Sequence, residues 1–151
     1  MIKLDTTLLR PITLVTEIQQ ACKKAIDNGL TTVCVPPLFI KIAKDLLKDS
    51  AVKVATVIGY PYGYAPTEVK LSEIMLAIYD GADELYVTAN IMAIKNNDWH
   101  YIAKELNQIL PIIQSRDKVM KMLVDTTTLT VEEVSKCFKL IEPAGIEVIS
   151  F

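Results

Sequence analysis

Lys121 stands inside the apolar run 119–124, where a primary amine must either reach water at the end of a strand or sit partly desolvated. A desolvated amine loses its proton more readily than a free lysine, and a neutral amine is a nucleophile. Other reactive groups are sparse. The three cysteines, Cys22, Cys34 and Cys137, have neither paired nor metal-like spacing and read as thiols of a reducing cytoplasm. Cys34 falls in a β-rich run and reads as a small core hydrophobe. The single histidine, His100, follows Trp99 at a helix start and is expected at the surface. Tyr60, Tyr62 and Tyr64 crowd a turn-rich stretch and are expected to shape a loop. No GxGxxG or GxxxxGK[ST] pattern occurs, which argues against a nucleotide-binding doubly wound fold.

Two alternating periods must position these groups. Ile18, Ala21, Cys22, Ala25 and Ile26 recur at helical spacing between Thr16, a candidate N-cap, and Gly29. Further helices are expected over about 38–48 and 67–79, along the stripe from Trp99 to Ile113, and along Val131, Val134, Cys137, Phe138 and Ile141. Strands are expected at 2–5, 31–35, 52–58, 84–89, 119–124 and 146–151. Six strands separated by five helices, with connections long enough for right-handed crossovers, fit either a doubly wound parallel sheet or part of a (β/α)8 barrel.

With 151 residues, a single domain over 1–151 is expected. A formal charge of −2, with basic residues scattered along the chain, gives no electrostatic case for nucleic acid or an anionic membrane. Neither a signal-peptide pattern nor an apolar run of membrane-spanning length is present.

Five stretches, kept in order and spacing, resemble deoxyribose-phosphate aldolase, a class I aldolase on a (β/α)8 barrel. They are "LDTTLLRP" at 4–11, "TTVCVPP" at 31–37, "VATVIGYPYG" at 54–63 with "TEVK" at 67–70, "DGADELYVTANI" at 80–91, and "KMLVDTTTLT" at 121–130. The resemblance implies a reversible aldol reaction joining acetaldehyde to glyceraldehyde 3-phosphate, with no cofactor and no metal. It implies a Schiff-base lysine on the sixth strand, where the family reads "FVKTSTGF" and this chain has Ser150. It also implies a proton-shuttling aspartate on the fourth strand, where the family reads "EIDMVIN" and this chain has Tyr86. Asp5, Thr7, Cys34, Lys121 and Asp125 match family positions, although Thr6 replaces the usual histidine between the first two.

The expected protein is therefore aldolase-like and catalytically inactive, because a hydroxyl cannot form an iminium. The alternative is an active aldolase using Lys121, or an amine from a partner subunit, on a small sugar phosphate or aldehyde. A third possibility is a truncated gene product. A complete (β/α)8 barrel takes at least about 200 residues. An incomplete barrel is thus expected, its first and last strands both unpaired edges and its open side covered in a homodimer or higher homo-oligomer.

Overall fold

A computed structural model describes residues 7–150 in full, together with the backbone of residues 2 and 3. All six expected strands are present: β1 (Ile2–Lys3), β2 (Thr32–Val35), β3 (Lys53–Ile58), β4 (Glu84–Thr88), β5 (Val119–Val124) and β6 (Glu147–Ser150). They form one parallel sheet in the order β1-β6-β5-β4-β3-β2. The helices are α1 (Val15–Asp27), α2 (Ile40–Leu46), α3 (Thr67–Asp80), α4 (Ile91–Lys95), α5 (Trp99–Gln114) and α6 (Val131–Ile141). The short α4 was not expected; it forms because the Asn90 side chain accepts the Ala93 N–H at 3.1 Å and starts a turn directly after β4.

Local chemistry sets most of the ends. At α1 the carboxylate of Glu17 accepts the Leu14 N–H at 2.8 Å, so the helix begins two residues before the expected Thr16 cap. At α6 the reciprocal bonds of a capping box are present: the Glu133 N–H donates to Thr130 Oγ1 at 3.2 Å, and the Thr130 N–H to Glu133 Oε2 at 2.7 Å.

The sheet curls as an incomplete (β/α)8-type barrel because its strands are covered on one side by helices and on the other by one another. Alternation along each strand sends Val54, Leu85, Val87, Met120, Met122 and Val148 outward, into the apolar layer under the helices. The other set, Cys34, Ala55, Val57, Tyr86, Leu123 and Ile149, packs together inside with Leu9 against it.

The first and last strands are not both edges. Ile2 pairs with Ile149 and Lys3 with Ser150, while Thr7 bridges to Cys34 and the Leu8 N–H donates to the Cys34 carbonyl at 3.1 Å. The amino-terminal segment thus touches both margins of the β2-to-β6 sheet, residues 2 and 3 along β6 and residues 7 and 8 along β2.

Gly63 shows how tightly the β3–α3 connection seats on β4. Its φ is +65°, and a Cβ there would lie 2.3 Å from the Ala89 carbonyl oxygen. Gly29 has φ +62° and nothing within 4 Å of a built Cβ. Gly63→Ala should therefore lower unfolding free energy by about 3 kcal/mol, adding backbone displacement to left-handed strain, against about 1 kcal/mol for Gly29→Ala. Urea midpoints of the two variants test the difference.

Candidate functional site

The inward face is polar at the amino ends of the strands. Glu84 opens β4, Glu147 opens β6, and the register sets Lys121 of β5 directly beside Tyr86 on one flank and Glu147 on the other. Lys121 Nζ lies 3.2 Å from Glu84 Oε2 and 3.2 Å from Glu147 Oε2, and 5.7 Å above the centre of the Tyr86 ring. The Tyr86 hydroxyl donates to Glu84 Oε2 at 3.1 Å, and the Thr32 hydroxyl to Glu84 Oε1 at 3.3 Å. Four strands are tied together by one amine, two carboxylates and two hydroxyls.

Burial pulls the Lys121 pKa down, but the Glu84 and Glu147 carboxylates outweigh it and the net shift is upward. Tyr86 is 1% exposed. Its phenol is also pushed up, first by burial and then by the charge of Glu84. Both shifts favour the protonated forms, an ammonium at Lys121 and a neutral phenol at Tyr86.

Of the residues the sequence singles out, Asp5 lies outside the described residues. Thr7 and Cys34 are neighbours across the bridge that joins the amino-terminal segment to β2; the Thr7 hydroxyl is buried without a hydrogen-bond partner. Cys34 is 1% exposed and its thiol is pushed up by burial and by Glu84, which makes it an inert packing group. Asp125 accepts the Thr127 N–H at 2.8 Å and the Thr127 hydroxyl at 2.6 Å, folding the loop that follows β5. Burial raises the Asp125 pKa, but these bonds outweigh it and leave the carboxyl below its ordinary range. Ser150 sits at the carboxyl end of β6 between Val124 and Lys3. Lys121 and Tyr86 come together with each other, but the structure does not gather them with Asp125 and Ser150. Those two occupy the opposite ends of the strands.

The carboxyl ends, the face on which (β/α)8 enzymes carry their chemistry, hold a cleft of about 490 Å³. Leu9 and Arg10, Pro36 and Phe39, and Tyr60 and Glu73 line it from three successive segments. Burial and the charge of Asp125 both raise the Tyr60 pKa.

Sequence reasoning missed a second polar cluster beneath this face. Lys70 is 0% exposed and Glu105 4%. Lys70 Nζ donates to Glu105 Oε2 at 2.9 Å and to the Thr88 carbonyl at 3.0 Å, while the Thr67 hydroxyl donates to Glu105 Oε1 at 3.2 Å. Burial lowers the Lys70 pKa, and Glu105 opposes that. The signal was present: Thr67 and Lys70 lie one turn apart on the buried face of α3, and Glu105 interrupts the apolar stripe of α5. The pair locks α3, α5 and the end of β4 together.

A parallel β/α sheet curled round a filled interior, with its cleft at the carboxyl ends of the strands, defines an incomplete (β/α)8-type barrel. The deoxyribose-phosphate aldolase of Thermococcus kodakarensis is 40% identical over 146 residues, covering 95% of this chain and 65% of that protein. A deoxyribose-phosphate aldolase of Thermoanaerobacter is 38% identical over 145 residues with the same coverage, 95% and 65%. A Coccidioides immitis structure carrying the same enzyme name superposes with a TM-score of 0.89 at 27% identity, covering 97% of this chain and 57% of that one. No protein-family model matches the chain. This chain belongs to the deoxyribose-phosphate aldolase family and spans about 65% of the length of the curated relatives it matches. Among the described residues no helix is long and apolar enough to cross a membrane.

Two outcomes follow from this geometry. Lys70→Met leaves Glu105 buried without its partner and should cost about 3–5 kcal/mol, whereas Lys70→Met with Glu105→Leu should recover most of that loss; chemical denaturation of the variants measures both. Tyr86 and Lys121 hold their protons more tightly folded than unfolded. The stability they add is complete below their ordinary pKa values of 10.0 and 10.5 and is lost as pH rises through the folded values. Denaturant midpoints should accordingly fall from about pH 9 to pH 11, and fall less in Tyr86→Phe.

Proposed function

We propose that this chain is a deoxyribose-phosphate aldolase-like protein that does not form its family's Schiff base, and so does not cleave 2-deoxy-D-ribose 5-phosphate to acetaldehyde and glyceraldehyde 3-phosphate. The observation that carries the reading is the setting of Lys121. Attack on a carbonyl needs a free nitrogen lone pair. The Lys121 amine is instead protonated between Glu84 and Glu147, at the amino ends of the strands and away from the cleft.

The two substituted positions point the same way. Ser150, at the family's Schiff-base position, offers a hydroxyl that can add to a carbonyl but cannot lose water to an iminium, so the electron sink for C–C cleavage is absent. Tyr86, at the position of the shuttle aspartate, donates a hydrogen bond to Glu84 and keeps its proton, so no phenolate is present to act as a base. Among the surviving family positions, Thr7 and Cys34 join the sheet margins, Lys121 ties β4 to β6 and Asp125 folds a loop. These roles preserve the scaffold without the chemistry. The cleft at the carboxyl ends keeps room for a small sugar phosphate or aldehyde bound without covalent reaction. An active aldolase using Lys121 would have to remove a proton that two carboxylates hold.

The test is incubation with acetaldehyde and borohydride, followed by peptide mass mapping and an assay of deoxyribose 5-phosphate cleavage. No ethyl adduct on Lys121 and no turnover above a blank are expected. An adduct there, with turnover abolished by Lys121→Ala, would overturn the reading. Ser150→Lys alone should stay at least about a hundredfold below an active relative, since no carboxylate stands at position 86 to move the proton.

A further inference from the structure

Where the first turn of α5 meets α6, Trp99, Lys136, Lys139 and Leu140 line a hollow of about 240 Å³. It shares no residue with the cleft at the carboxyl ends of the strands. Trp99 and Leu140 pack against the buried apolar layer, so the indole is held in place. Lys136 Nζ lies 5.4 Å from the centre of that ring. The indole Nε1 is buried and has no hydrogen-bond partner among the described residues. A buried N–H of this kind is uncommon in a folded protein and marks a place that an acceptor completes.

Every polar side chain in this lining is a donor. An indole N–H and an ammonium donate hydrogen bonds, and neither can accept one. Among the described residues, Lys136 and Lys139 form no ion pair. Two carboxylates close by in the sequence are already engaged. Glu133 is 2.7 Å from Lys95 Nζ and accepts the Thr130 N–H at 2.7 Å. Asp98 accepts the Tyr101 N–H at 3.0 Å. Glu132, four residues before Lys136, and Glu142, three after Lys139, pair with neither amine.

Three donors call for an acceptor, and two positive charges make that acceptor an anion. A carboxylate brings one charge and two oxygens. A phosphate monoester brings nearly two charges at neutral pH and three strong acceptor oxygens, one for each donor. We propose that this hollow binds a free phosphate monoester through the Trp99 indole and the Lys136 and Lys139 ammonium groups. Lys136 leaves the ring face for the phosphate as the ligand enters, which changes the surroundings of the indole.

Trp99 is the only tryptophan of the chain, so its emission reports this site. Titration of the wild-type chain with glycerol 3-phosphate, at ionic strength held constant with sodium chloride, should change that emission saturably. Acetate over the same range should not. Lys136→Met and Lys139→Met keep an unbranched apolar stem and remove the charge. Each should weaken binding about tenfold in isothermal titration calorimetry, with an unchanged circular dichroism spectrum. A response that does not saturate, equal binding of acetate, or wild-type affinity in both lysine variants overturns the proposal. Sedimentation with phosphatidic acid vesicles, without a response to the free monoester, overturns it as well.

Discussion

The ammonium of Lys121, fixed between two carboxylates inside a curled sheet, constrains both the fold and the chemistry of this protein. An inward charge on a central strand has to be compensated at the same height by neighbouring strands, and the register of β4, β5 and β6 supplies Glu84 and Glu147 there. That compensation turns the amine toward the amino ends of the strands and favours its ammonium form.

At the opposite face the Lys70–Glu105 pair does comparable positioning from outside the sheet. Lys70 reaches the Thr88 carbonyl at the end of β4. Gly59 leaves room for its side chain: a Cβ there would stand 2.9 Å from Lys70 Cε. Gly63 then packs directly on the Thr88 and Ala89 carbonyls. The Tyr60–Pro61 segment that lines the cleft is therefore carried on a rigid base, the condition a (β/α)8 protein needs to hold a ligand on its loops. Tyr86 fills the interior below. The result is a barrel-type scaffold whose loop face is organised while the charges at the amino ends of its inward layer are paired with one another.

Much of this was legible in the sequence, because it is local. The six strands follow from β-rich runs of period two and the longer helices from apolar stripes of period 3.6. The candidate site was legible only as residue types, such as Lys121 inside an apolar strand, since residue identity needs no coordinates. The short helix α4 and the true start of α1 were missed, because side-chain bonds from Asn90 and Glu17 to backbone N–H groups set them, and apolar periodicity carries no trace of those.

The direction of Lys121 and the partners of Lys70 could only be decided in three dimensions. Alternation indicates that residue 121 faces inward, but not which carboxylates stand beside it. Those come from residues 84 and 147, brought level by strand register. Lys70 and Glu105 are 35 positions apart and meet only because α3 and α5 lie side by side over β4. The pairing of the amino-terminal segment with both β6 and β2 likewise depends on how the sheet curls, which is the sum of many small strand twists rather than a property of any one segment. Sequence by itself determined the six strands, the longer helices and which reactive side chains the chain carries, because all are properties of short stretches. Tertiary structure decided which charges neutralise one another, because Coulomb energy depends on distances that only the packed chain sets.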